Sequence, residues 1–172
     1  MNQGEPFAEA FRIVFGAEFH SLFRYLDRLT GDSAAASDFA QEAFVRLYER
    51  GAMPDDTRAW LATVANNLMR DEYRKSTRRR DILGAHPNLV PYAEPESDAE
   101  EAAVRRDRRE RVRRALNGLP LRSRQALLLR TEGYSYREIA AALDCRVSGI
   151  GKLIVRATRQ FRTAYEAGDA FD

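Results

Sequence analysis

LPLRSRQALLLRTEGYSYREIAAALDCRVSGIGKLIVRATRQFR, residues 119–162, reads as a helix-turn-helix with a support helix in front of it. Ser135 followed by Glu138 is a capping box, so a helix starts just after Ser135. Its apolar face is Ile139, Ala140 and Leu143, and Leu143-Asp144-Cys145 breaks the pattern for a short turn. A second helix follows with Ile150, Leu153, Ile154 and Ala157 on one side. Ala140 is small where two crossing helices must approach, and Ile150 and Leu153 fill the angle between them. A second helix placed in this way is built to lie in a major groove. Lys152, Arg156, Arg159 and Arg162 fall on or near its outer side, where cations meet phosphates and guanine edges. The plainer reading of this stretch alone is a helical hairpin with a solvated basic face. The support helix spans Leu121 to Thr131, carries Ala126, Leu127 and Leu129, and is stopped by Gly133.

Upstream, Arg105 to Leu116 carries a sparse apolar side of Val104, Val112, Ala115 and Leu116, closed by Asn117-Gly118. Before it, residues 84–104 contain Pro87, Pro91 and Pro95 and then an acidic run, which favours an extended, unpaired linker. At the other end of the chain Phe7, Phe11, Phe15, Phe19 and Phe23 recur every four residues. They predict a core-facing helix, or two broken near Gly16. Thr30-Gly31-Asp32 ends it, and Asp32 or Ser33 caps the next helix, Ala34 to Arg50. That helix has an apolar stripe of Phe39, Ala40, Ala43, Phe44, Leu47 and Tyr48. Residues 51–56, GAMPDD, form a loop, and Thr57 caps a third helix that buries Trp60, Leu61, Val64, Ala65 and Leu68. Its far end, RDEYRKSTRRR, is strongly basic. The tail beyond Arg162 is short, partly acidic and expected to fray. No strand pattern and no internal repeat is visible, so the fold class is all-α: two small helical domains joined by a flexible acidic linker.

Composition narrows the function. The 172 residues are 44% hydrophobic, ordinary for a globular chain. No run of about 18 apolar residues predicts a membrane span, and the N-terminus has no secretory pattern. Cys145 is the lone cysteine, read as packing in the turn; together these features predict a reducing, cytoplasmic setting. Net charge is only +2, yet it is banded. Residues 1–56 hold five Arg against ten acids, residues 57–82 seven cations against three, and residues 105–130 ten Arg against two. Two separate basic segments fit a protein that touches a polyanion. His20 and His86 are the only histidines and have no partner cysteines, so no metal set is expected. No phosphate-binding glycine loop or nucleophile elbow is present. The expectation is therefore no enzyme, no cofactor and no metal.

Two blocks together resemble the extracytoplasmic-function (ECF, group IV) sigma factors of bacterial RNA polymerase, over about residues 10–163. The first is Asp38 to Arg46, DFAQEAFVR, followed by Trp60-Leu61, Ala65-Asn66-Asn67-Leu68, Asp71, Arg74 and Lys75. It looks like sigma domain 2, here residues 1–83. The second is Leu119-Pro120, Arg122, Arg124, Leu127 to Leu129, Gly133 to Tyr136, Glu138 to Ala140 and Leu143. It looks like sigma domain 4, here 105–165 with a tail at 166–172.

The resemblance implies roles. Asp38, Gln41, Glu42, Phe44 and Arg46 would bind core RNA polymerase at the β′ clamp, with the β flap as a further contact. Met53, Pro54, Asp55, Asp56 and Trp60 would shape the loop that captures a flipped base of the −10 element, an extrusion that costs a few kcal/mol. Asn66, Asn67, Arg70, Arg74, Lys75 and Arg78 would meet the −10 region. Arg146, Ser148, Gly149, Lys152, Arg156 and Arg159 would serve the −35 element. The linker would follow the polymerase's RNA exit path. Promoter DNA and an anti-sigma factor are the implied partners, with no membrane insertion. The second helix departs from the family stretch Ser-x-Gly-Thr-Val-Lys-Ser-Arg: here it is Arg146-Val147-Ser148-Gly149-Ile150-Gly151-Lys152-Leu153. Ser148 would then cap the helix, and Gly149 and Gly151 remove side chains that would face DNA, which leaves three readings of the −35 contact: weak, unusual in sequence, or reliant on close backbone approach that the glycines permit. Two alternatives stand beside the sigma reading: a stand-alone DNA-binding regulator of sigma-like fold, and a sigma mimic that sequesters an anti-sigma factor.

Overall fold

The computed structural model describes residues 4–83 and 99–169, with side chains for 6–75 and 104–167. Seven helices and no strand occur among these residues. The chain divides into two compact units, Met1–Val90 and Pro91–Asp172. Among the described residues no helix is long and apolar enough to cross a membrane.

The first unit is three helices: α1 Gly4–Thr30, α2 Ser33–Arg50 and α3 Thr57–Leu83. α1 runs unbroken through Gly16. One helical glycine costs about 0.5–1 kcal/mol, less than the flanking turns recover. Asp32, not Ser33, caps α2: its carboxylate accepts from the Ala35 N–H at 3.0 Å. Gly51 closes α2 in the left-handed region at φ 68°, a conformation that favours glycine. The α3 cap also lies one residue earlier than expected. Asp56 Oδ1 accepts from Ala59 N at 3.0 Å, while the Thr57 hydroxyl donates back to the Pro54 carbonyl at 3.0 Å.

The core of this unit is Leu22, Tyr25, Leu26 and Leu29 of α1 against Ala36, Ala40, Ala43, Phe44 and Leu47 of α2 and Ala59, Leu61, Ala62 and Ala65 of α3. The alanines let the helix axes approach. The phenylalanine row is therefore not the core. Phe7, Phe11, Phe15 and Phe19 form a ladder with neighbouring centroids 6.2, 6.2 and 4.9 Å apart, and its rings are half-buried or, at Phe15, 41% exposed. The ring contacts of this half of α1 are to Phe44 and Tyr48 of α2. Ties from α1 to α3 include the Glu18–Arg58 ion pair at 2.9 Å and the Tyr25–Asn66 hydrogen bond at 2.7 Å.

The second unit is α4 Ala99–Asn117, α5 Leu121–Thr131, α6 Tyr136–Ala142 and α7 Val147–Asp169. α4 begins inside the expected linker, because Ala99-Glu100-Glu101-Ala102-Ala103 are good helix formers and the two acids suit a helix N-terminus. The linker residues 84–98 and the last tail residues 170–172 lie outside the described residues. Val104 is 65% exposed rather than packed. The core comprises Ala115, Leu116, Leu119, Ala126, Leu128, Leu129, Tyr134, Ile139, Ala140, Ala142, Ile150 and Ala157. Leu143, Leu153 and Ile154 are only half-buried. The expected fraying after Arg162 is also corrected: α7 continues to Asp169, with Tyr165 stacked on Phe161 at 5.9 Å and Arg111 lying 5.8 Å from the Tyr165 ring.

Candidate interfaces for nucleic acid and protein

The helix-turn-helix is assembled by local chemistry. The Ser135 capping box is complete: its hydroxyl accepts from Glu138 N at 3.2 Å, and the Glu138 carboxylate accepts from Ser135 N at 2.6 Å. The turn closes with Leu143 N on the Ile139 carbonyl at 3.0 Å and Cys145 N on the Ala140 carbonyl at 2.9 Å. Asp144 takes φ 49°, which short polar side chains tolerate. Arg122 of α5 donates to the carbonyls of Leu143 and Asp144 at 2.9 and 3.2 Å, so α5 fixes the turn and α7 with it.

α7 begins at Val147, so Ser148 lies within its first turn and does not cap it from outside. Arg146 precedes the helix, and its carbonyl accepts from Gly149 N at 3.0 Å. Arg146, Ser148, Gly149, Lys152, Arg156 and Arg159 are all exposed, and Ile150 and Ala157 anchor the opposite face. Gly151, Lys152, Val155, Arg156 and Arg159 line a shallow open cavity. Periodicity alone missed Val155, which is 61% exposed on this outer face, and Tyr136, which is 43% exposed with the Arg130 guanidinium 5.5 Å from its ring.

In the first unit, α3 presents Asn67, Arg70 and Arg74 along one exposed face with Lys75 at its side. Positions 67, 70, 74 and 78 recur at helical spacing, so they form a row. Arg70 donates to Asn67 Oδ1 at 3.4 Å, and Asp71 interrupts the positive charge. The side chain of Arg78 lies outside the described residues. Asn66 is corrected. It is 1% exposed, and its Oδ1 accepts from the Tyr25 hydroxyl at 2.7 Å, so it points into the core and not toward a ligand.

The loop between α2 and α3 holds Met53 and Pro54 half-buried and Asp55 and Asp56 exposed. Asp56 is committed to the α3 cap. Trp60 is half-buried at the start of α3, with the Arg50 guanidinium 5.9 Å from its ring. On α2, Asp38, Gln41 and Arg46 are exposed, and Glu42 pairs with Arg46 at 3.0 Å. Gln41 donates to the Ser37 hydroxyl at 2.8 Å. Phe44 is corrected: at 2% exposure, edge-on to Phe15 at 5.0 Å, it is a core residue on the other side of the helix. Val45, 48% exposed among Asp38, Gln41 and Glu42, takes the apolar place on this face instead.

The pattern for sigma-70 region 2 matches residues 16–79, and that for sigma-70 region 4 matches residues 109–161. The ECF RNA polymerase sigma factor EcfG of Rhodopseudomonas palustris is 31% identical over 159 residues, 88% of this chain and 83% of that protein. The chain belongs to the ECF sigma factors. SigL of Mycobacterium tuberculosis, also an ECF RNA polymerase sigma factor, is 41% identical over 88 residues, spanning 48% of this chain and 49% of SigL. The match thus spans about half the length of that relative. The sigma factor RpoE of Bartonella quintana, solved in complex with the anti-sigma factor NepR, shares the fold with a TM-score of 0.71 at 21% identity, over 92% of this chain and 98% of that one. Region 2 takes in α2, the loop and all but the last four residues of α3 in this sigma factor, and α5 to α7 carry most of region 4.

Proposed function

We propose that this sigma factor is a bacterial transcription initiation factor that binds core RNA polymerase and directs it to promoters with −35 and −10 elements. The observation that carries the reading is the joint presence, in one chain, of a region 2 unit and a region 4 helix-turn-helix, each with its own exposed cationic helix face. Asp38, Gln41, Glu42, Val45 and Arg46 form the mixed-charge surface for the polymerase β′ clamp, and the β flap contacts the second unit. Met53, Pro54, Asp55 and Trp60 shape the base-capturing loop. Asn67, Arg70, Arg74, Lys75 and Arg78 follow the −10 strand, and the outer face of α7 meets the −35 element. Its setting is the cytoplasm, and it acts without catalysis of its own.

An anti-sigma factor holds it inactive. The solved complex of RpoE with NepR supports this, as do Phe15, Val45 and Tyr48, which remain 41, 48 and 60% exposed on the first unit. The test is run-off transcription with cognate core enzyme from the promoter of its own operon. Transcription that depends on the added protein is the expected result, and transcription indifferent to it refutes the proposal. A mobility-shift assay without polymerase, at stated salt, separates this reading from a stand-alone regulator, which would bind the duplex tightly by itself.

A further inference from the structure

Gly149 and Gly151 sit within the first two turns of α7, where each costs the helix about 0.5–1 kcal/mol relative to alanine. The fold gives no reason for either. Neither has positive φ. A Cβ added at Gly149 meets nothing within 4 Å, and one at Gly151 meets only Cε2 of Tyr136 at 3.6 Å, an ordinary contact. Alanine therefore fits both places and stabilises the helix. Among the described residues, nothing in the packing accounts for either glycine.

Helical geometry shows what they expose. At 100° per residue, positions 148, 151 and 155 fall within a strip roughly 60° wide. Ser148, Gly151 and Val155 occupy it, and Lys152, Arg156 and Arg159 are displaced to one side. Tyr136 stands beside Gly151 on α6. Over positions 148–155 the outer face of α7 thus has an uncharged, low-relief spine and a cationic flank, and Arg162, two turns beyond Val155, returns charge to the same strip. Gly151 and Val155 offer no side-chain donors or acceptors, so the centre of the strip is unable to read bases by paired hydrogen bonds. The one apolar group on a major-groove edge is the thymine C5-methyl.

We propose that α7 reads its DNA element by close approach of the helix backbone at Gly151 and by contact of Val155 with thymine methyl groups, while Lys152, Arg156 and Arg159 hold phosphates. This inference rests on α7 being the upstream-element helix. Without a side chain at 151 the helix axis sits deeper in the groove, which brings the short Val155 side chain to the base edges. The longer cationic side chains still reach the groove walls.

The experiment uses holoenzyme reconstituted from the full chain and core polymerase, selecting from duplexes randomised upstream of a fixed −10 region. The selected element is expected to carry thymines, and replacing them by deoxyuridine lowers affinity about fourfold per methyl, the equivalent of ~0.8 kcal/mol for one apolar carbon. Val155→Ser, which removes both γ-methyl groups, abolishes that sensitivity. Gly151→Ala raises the unfolding midpoint of the second unit and weakens binding about tenfold, the scale of one lost base contact. Arg156→Ala weakens binding to all sequences alike and reduces the salt slope by about one. A selected element indifferent to deoxyuridine, or a Gly151→Ala holoenzyme that binds like wild type, overturns the inference while leaving the reading of α7 intact. A Gly151→Ala protein less stable than wild type overturns it too, because the fold would then need the glycine. If no upstream preference emerges, the reading of α7 itself fails, and the inference falls with it.

Discussion

Asn66 and Asn67 are neighbours with opposite duties, and substituting each to alanine separates them. Asn66 is 1% exposed and bonded to the Tyr25 hydroxyl at 2.7 Å, whereas Asn67 is exposed on the face of Arg70 and Arg74. Removing one partner of a buried hydrogen bond costs ~1–3 kcal/mol, because the other partner is left desolvated. Taking about 2 kcal/mol, and about 4–8 °C per kcal/mol for a unit of this size, Asn66→Ala lowers the melting temperature of the first unit by roughly 8–16 °C. Asn67→Ala changes stability by less than about 0.5 kcal/mol. Trp60 is the only tryptophan and belongs to α3, so its fluorescence reports the first unit without interference from the second. A cycle of Tyr25→Phe with Asn66→Ala gives a coupling of about 1 kcal/mol. In run-off assays held well below the lowered midpoint, Asn66→Ala retains promoter opening and Asn67→Ala loses it. The reasoning is refuted if Asn66→Ala melts with wild-type protein yet abolishes opening, which would make Asn66 a DNA contact.

Three further outcomes follow from the same geometry. Phe44→Ala destabilises the first unit by ~3–5 kcal/mol in urea titrations, whereas Asp38→Ala and Gln41→Ala leave the midpoint in place and weaken capture of core polymerase in co-purification. Replacing Met53–Asp56 with a Gly/Ser linker abolishes permanganate-reactive melting while polymerase binding persists; Asp56→Ala alone costs about 1 kcal/mol of stability through the lost cap, and so measures the structural share of that change. Ser135→Ala removes the hydroxyl acceptor of the capping box and costs about 0.5–2 kcal/mol in the second unit, read by helical circular dichroism during denaturation.

The parts of the fold that were legible are the ones made by neighbours in sequence. The Ser135–Glu138 box, the turn after Ala142 and the stop at Gly51 depend on a few consecutive residues, and all three stand where local chemistry puts them. Where two cap-forming residues adjoin, local chemistry does not choose between them. Asp32 prevailed over Ser33 and Asp56 over Thr57, since the side chain that meets the free N–H groups is decided by where the first turn begins. Buried polarity is harder still. Asn66 looks like a surface residue beside Asn67 until Tyr25, far earlier in the chain, supplies the hydroxyl that lets it enter the core.

Periodicity identifies an apolar face but not how much of it another helix covers, and this limit has functional weight at both ends of the molecule. The phenylalanine row of α1 has the spacing of a core stripe, yet its ring contacts are with α2, and Phe15 and Tyr48 stay in contact with solvent. Phe44 has the same spacing and is fully covered, so of the residues implied for the α2 interface it is the one that packing withdraws. On α7 the sequence left a choice open. The glycines read either as missing contacts or as room for close backbone approach, because the sequence does not show whether packing needs them. A Cβ fits at both positions without displacing a backbone atom, so their absence is not required by packing. A helix that gives up stability at an exposed and a half-buried position, with no benefit to the packing of the described residues, makes sense if something external must come within a methyl group of its backbone.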